Sequence, residues 1–460
     1  MKAWLKKPSV VFWGCVFVLW LNFSGHLLST LPLKKYLDGE FFSERFVFSR
    51  LVYNLKHGED AQGGFMLRYD HVDDLYKSVD RDDYALFKER LEKGDDKIAR
   101  VYTSHYGLQD DLMMPVWRGL ERVKDKVLEG AKPGSRWHKR LQTLDYYYYN
   151  LISQTLVAFV NALVIGSILF WVAKQFSARH AWVVLGLILV FQPILTFYGR
   201  SMWWMMWSWF LPFAIVLFAT YRFGAYRNNV SLSLSLITAA FAGLAVCVRT
   251  LMGYEYVSPT MVGAMVPIVF YAVYQRWGLA SWFLTSFIVG LGCLIGALSA
   301  MYMHYNALQD FGLSPQDVIT RSYQMRAYGG EAAAGVKGEI AESVVAPFWQ
   351  VLGGYLISPK ELAPPQILFM LPCFIWMWGY FKKGGRRKVS DDHRRLYDAF
   401  LASAGVSFLG AVSMLVILKG HAYIHGYDII IWSLPLNIIL LIFYSVLMLG
   451  LKNTHHARAE

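Results

Sequence analysis

Charged residues are scarce in this chain. They make up 17% of its 460 residues, where a soluble domain carries about 25%. Uncharged apolar runs replace them, and several reach the roughly 20 residues that cross a bilayer as a helix. An ordinary soluble fold is excluded. Cysteine is rare as well. Cys15, Cys247, Cys293 and Cys373 each fall inside an apolar run, with no short metal-ligand spacing, so they read as small buried hydrophobes and not as disulfides or zinc ligands. The phosphate-cradling P-loop, the Rossmann glycine pattern, the Gly-x-Ser-x-Gly elbow and the His-Glu-x-x-His pair are all missing. Soluble-nucleotide and hydrolase chemistries therefore have no motif behind them. There is no repeat of 20–50 residues and no low-complexity tract. Nor do the two halves carry the matching broken helices of an inverted-repeat transporter.

What is present is a series of about ten apolar runs: 9–29, 149–173, 180–198, 202–221, 231–250, 256–275, 279–304, 365–381, 398–419 and 428–451. The fold class expected is an all-α, polytopic transmembrane bundle. The surplus of positive charge, +12, collects in short loops: Lys2, Lys6 and Lys7, then Lys174 and Arg179, Arg222 and Arg227, Arg276, and the block at 382–395. Basic short loops stay cytoplasmic, so both termini are expected there, in a cell inner membrane. The charge then needs no nucleic acid to explain it. The run at 9–29 is too long for a signal-peptide core and reads as a retained first helix over 1–29.

The expected division follows. A large extracytoplasmic loop with amphipathic helices fills 30–148, and helices 2 to 7 fill 149–304. A mobile extracytoplasmic loop spans 305–364, and helices 8 to 10 with a cytoplasmic tail span 365–460. In the first loop, PVWRGLERVKDKVLEG predicts a helix starting near Pro115 and stopping at Gly130, and VYTSHYGLQ (101–109) reads as a loop. WWMMWSW (203–209) reads as an interfacial aromatic belt.

The loop opens on LDGEFFSERFVFSRLVYNLKHG, which crowds Asp38, Glu40, Glu44, Arg45 and Arg50 among phenylalanines just past the first span. A carboxylate at the interface suits removal of a proton from an accepting hydroxyl. Asp70, Asp73 and Asp74 form a second acidic group farther along. Other candidates lie beyond. Arg249 ends the fifth span near Glu255, where it could hold a lipid phosphate or pair with that acid. His421 and His425, at i,i+4 spacing before Asp428, could hold a divalent metal, relay a proton or bind phosphate. Arg321 and Arg326, interleaved with Tyr323 and Tyr328, suit sugars and diphosphates.

One span followed at once by a long acidic outer loop and an Arg-x-x-x-Asn-Leu-x-x-Gly helix (Arg50, Asn54, Leu55, Gly58) resembles the GT-C class of membrane glycosyltransferases. The resemblance implies a catalytic loop-one carboxylate, Asp38 or Glu44, and a polyprenyl-phosphate-linked sugar donor. It also implies a glycan or lipid acceptor among membrane lipids. The tight acidic pair common in the class is replaced by Asp38-Gly-Glu40. Arg249 and Arg321 are then expected to hold phosphate, and Tyr102, His105 and Tyr106 to line the sugar site. No cofactor is required by the sequence. A polysaccharide polymerase or ligase, a transporter or flippase of lipid-linked glycans, and a non-catalytic assembly factor are the competing readings.

Overall fold

The computed structural model describes residues 7–29, 32–58, 64–70, 89–94, 97–136, 138–139, 145–223, 231–328, 342–343, 346–357, 365–382 and 385–450, without the side chains at 35, 37–42, 223, 328, 426 and 427. Helix dominates: α1 (Pro8–Gly25), α2 (Leu33–His57), α3 (Leu108–Gly130), α4 (Tyr146–Gln175), α5 (Ala178–Phe191), α6 (Pro193–Tyr198), α7 (Trp207–Phe223), α8 (Leu232–Met252), α9 (Val257–Gln275), α10 (Leu279–Asp310), α11 (Pro315–Tyr328), α12 (Phe348–Ile357), α13 (Gln366–Phe381), α14 (Asp391–Ile417), α15 (Lys419–Ile424) and α16 (Leu436–Leu449). The helical fold class expected from hydropathy is what the chain adopts. Six of these helices, α1, α4, α8, α9, α10 and α14, are long and apolar enough to cross a membrane. The other apolar runs form shorter helices. Span three is broken at Gln192, where Pro193 cannot continue the ladder of α5. The run at 428–451 begins as a 3-10 turn, Gly426–Ser433, before α16.

Local chemistry sets the helix ends. Asp145 caps α4 by accepting from the Tyr147 N–H at 3.2 Å, and Ser177 caps α5 by accepting from His180. Packing sets the rest. α8 lies against α10, α9 against α14, and α1 against α4. Small residues govern the first contact: a Cβ on Gly296 would stand 1.9 Å from the Gly243 carbonyl oxygen, and one on Gly292 would stand 2.5 Å from that of Ala239. Ala239-x-x-x-Gly243 thus meets Gly292-x-x-x-Gly296 backbone to backbone, as small-residue stripes do in membranes. Deeper in the bundle, amides fasten three helices together. Gln192 Oε1 accepts from Ser433 (2.7 Å) and Asn437 (3.2 Å), and Gln366 donates to Asn437 (2.7 Å).

The segment after α1 departs from expectation in two places. Val101 and Tyr102, the start of the stretch expected as loop, instead end strand β2 (Ile98–Tyr102), which is antiparallel to β1 (Met66–Tyr69). The helix expected from Pro115 starts seven residues earlier, at Leu108, so Pro115 lies inside it. Gly107, at φ 89°, makes that earlier start possible: it takes a left-handed turn and donates to Leu251 O at 3.0 Å, bringing α3 against the end of α8. The second outer segment is also more ordered than the expected mobile loop. α10 runs on to Asp310, and α11 and α12 follow, while 329–341 lies outside the described residues. At 32 residues, α10 is about 48 Å long, well beyond the roughly 30 Å bilayer core.

Candidate functional site

The end of α8, the start of α9 and the turn after α14 meet at one end of the bundle. Segment 102–107 lies across them. Arg249, in the last turn of α8, is 1% exposed, and its Nε, Nη1 and Nη2 have no hydrogen-bond partner among the described residues. Its guanidinium instead faces the rings of Trp209 and Tyr256, 5.7 Å from each centroid. The expected alternative, a structural Arg249–Glu255 ion pair, is not the arrangement found. Glu255 is taken by Arg326 of α11, whose Nε and Nη2 donate to Glu255 Oε1 at 3.1 and 2.8 Å. Arg326 Nη2 also donates to the Tyr102 hydroxyl at 3.0 Å. Burial would raise the Glu255 carboxyl, but Arg326, His105, His421 and Arg249 outweigh it and hold the group ionised, below the usual carboxylate range.

Histidines close the cluster. His105 is 1% exposed, sits edge-on to Tyr102 and Trp203, and has neither ring nitrogen hydrogen-bonded among the described residues. Burial pushes its imidazole down to about 3. His304, on the overhanging end of α10, accepts or donates toward Tyr254 OH (2.7 Å) and Thr103 O (3.1 Å), tying the covering segment down. His421 lies on α15 with Nε2 3.3 Å from Asp428 Oδ2 and its ring 4.2 Å from that of His425. Tyr256 donates to Asp428 Oδ1 at 2.5 Å. Among the described residues no group of three or more His, Cys, Asp or Glu is arranged to hold a metal.

An apolar cavity of about 330 Å³ leads to this cluster. Met261, Met301 and Ile417 line its greasy part, and Ser104, Ser322 and Arg326 its polar part. Arg326 therefore belongs both to the cavity wall and to the ion pair with Glu255. Arg321, one helical turn away, is exposed and outside that wall, and Tyr106 is half-buried beside the segment.

The loop-one acids occupy two settings. Glu44 is 1% exposed and fully engaged: Ser201 Oγ (2.7 Å) and the Trp203 N–H (3.0 Å) donate to Oε1, and Gln154 lies 3.5 Å from Oε2. Gln154 in turn accepts from Arg200. Burial raises the Glu44 carboxyl against those donors. Two of its three partners, Ser201 and Trp203, come from 201–203, so the tryptophan run read as an interfacial belt is instead folded inward there, with Met202, Met205 and Met206 wholly buried. The Asp38 side chain and residues 73 and 74 lie outside the described residues, and Asp70 is exposed near Lys97.

The acid that sequence reasoning missed is Asp110, in the first turn of α3. It is 1% exposed, and neither carboxylate oxygen has a hydrogen-bond donor among the described residues. Burial pushes it well above the ordinary carboxylate range, with Arg50 of α2 acting the other way. Its neighbour Gln109 donates to Trp203 O (2.6 Å) and Met252 O (2.8 Å), which fixes this turn beside the end of α8. The signal was present as the adjacent pair Asp110-Asp111, immediately after the aromatic segment. Comparison with family models, with curated proteins and with solved structures finds no match.

Proposed function

We propose that the chain is a membrane glycosyltransferase that moves a sugar from a polyprenyl-phosphate carrier to a glycan or lipid acceptor. The observation that carries the reading is Arg249. A guanidinium buried without hydrogen bonds is costly, and an entering phosphate would supply what its three nitrogens lack. The apolar cavity suits a prenyl chain, with Arg326 at its polar end to meet the phosphate. The aromatic segment around Tyr102, His105 and Tyr106 supplies ring faces and edges for a sugar.

In the reaction, a loop-one carboxylate removes the proton from the acceptor hydroxyl, and the oxygen attacks the anomeric carbon. The bond from that carbon to the phosphate oxygen breaks, and the polyprenyl phosphate leaves with its charge opposite Arg249. Among the described acids, Asp110 fits the base best, because its oxygens are uncommitted and its pKa is raised. Glu44, held by three donors, positions the Trp203 segment, and Asp38 stands as the base implied by the GT-C resemblance.

The test is product formation in cells lacking the native copy, with protein abundance followed in parallel. Asp110→Asn and Arg249→Lys should each lower product at least about 100-fold at unchanged abundance. Full product from Asp110→Asn with loss in Asp38→Asn moves the base to Asp38. Full product from all three acid variants, Glu44→Gln included, with loss only at Arg249, leaves binding without chemistry. That is the flippase reading, and the enzyme would be withdrawn.

A further inference from the structure

The opposite end of the α9–α14 pair holds a second cavity, larger and of different chemistry. It measures about 830 Å³ and is lined by Val273, Arg276, Phe381, Arg386, Arg387, Arg394, Arg395 and Asp398. α9 has 19 residues, so this cavity stands about 28 Å from the Glu255 cluster along that helix. It plays no part in the chemistry proposed above.

Five guanidinium groups converge here, and two carboxylates, Asp391 and Asp398, pair with four of them. Asp391 takes Arg276 at 2.7 Å and also holds Arg394 and Arg395, while Asp398 holds Arg386. Counted over these five arginines and two aspartates the surplus is three positive charges, and Arg387 has no ion-pair partner among the described residues. A surplus of positive charge gathered around one cavity attracts an anion into it. The apolar part of the wall indicates where that counter-charge comes from. Phe381, 55% exposed, ends a face of α13 that also bares Trp378, Ile375, Phe374, Leu371 and Leu368. A greasy track of this length leads from the arginines along the bundle surface, and Lys382 folds over Trp378 at its rim, as a snorkelling lysine does at an interface. A free anion would use the arginines and leave the track bare. A lipid uses both.

We propose that this cavity binds the headgroup of an anionic phospholipid with two phosphates, its acyl chains lying along α13. Bidentate contacts from arginine to phosphate supply the specificity, and the size of the cavity accommodates more than one phosphate.

The experiment uses the full chain purified in a neutral detergent. Cardiolipin, phosphatidylcholine and inorganic pyrophosphate are titrated separately. Bound lipid is counted by native mass spectrometry, and the thermal midpoint is followed. Cardiolipin should be retained at least tenfold more tightly than phosphatidylcholine and should raise the midpoint. Arg387→Gln, at an exposed position with no ion pair to break, should weaken retention about fivefold, and Arg387→Glu should weaken it further. Lys174→Gln, which removes a basic residue outside the cavity, should match the parent. Equal retention of cardiolipin and phosphatidylcholine, or no change in either Arg387 variant, overturns the proposal. Pyrophosphate binding as tightly as cardiolipin does so too, because it would make the cavity a site for a soluble anion.

Discussion

At the scale of single residues, the two buried arginines at the candidate site should behave in opposite ways. Arg326 completes an ion pair with Glu255 in which both side chains are under a tenth exposed, so Arg326→Met strands a buried carboxylate and should cost about 3–5 kcal/mol. Adding Glu255→Gln should recover much of that loss. Arg249 makes no side-chain hydrogen bonds among the described residues, so Arg249→Met should cost less than about 1 kcal/mol, although it removes activity. Thermal midpoints of the three variants in detergent decide this; equal losses at the two arginines would mean that Arg249 is structural. His105 adds a pH dependence. Its folded value near 3 lies below the ordinary 6.5, so the unfolded chain takes the proton first. Stability is therefore full above about pH 6.5 and falls as pH drops toward 3, by up to about 1.4 kcal/mol per pH unit. His105→Phe should flatten that slope in a midpoint-against-pH series. The site was half legible in advance. Arg249 and Glu255 declared themselves by being ionisable beside apolar runs, and Arg326 by its interleaving with Tyr323 and Tyr328 in the second outer segment. Which arginine pairs with Glu255 was not legible, because Arg326 arrives from 71 residues away.

Among the elements, the contact of α8 with α10 should be the least tolerant of change. Gly296→Ala drives a methyl group into a carbonyl at a distance no real Cβ adopts, so the helices must separate along their whole contact. Overpacking of this kind costs about 1–3 kcal/mol or more, and Gly296→Leu should abolish accumulation. Gly290→Ala, which meets only a sulfur at 4.0 Å, is the matched control; equal abundance of the two alanine variants would contradict the close approach. Helices were the legible elements, because periodicity and apolar length act locally. β1 and β2 were not, since each has only four or five residues and gains its order from a partner some thirty positions away. Residues 203–209 misled for a related reason: tryptophans at a lipid surface and tryptophans folded onto Glu44 have the same composition.

For the whole molecule, the expectation that basic loops share one side assigns both termini to the cytoplasm and the Arg249 cluster to the far face. Reporter fusions after about residue 90 and at the C-terminus should report opposite sides of the membrane. A cytoplasmic signal from the first would invert the molecule and place the proposed transfer on the wrong face for that topology. The amide network in the bundle bears on biogenesis. Gln192 leaves the ribosome about 240 residues before Ser433 and Asn437, its hydrogen-bond partners. Throughout that interval its side-chain oxygen lacks both donors at the break between two apolar helices, α5 and α6, and an unpaired polar group is costly in an apolar setting. A nascent chain arrested short of Ser433 would thus carry a mark of incompleteness at the break between α5 and α6, one that a membrane protease or chaperone could recognise and that only the arrival of Ser433 and Asn437 erases.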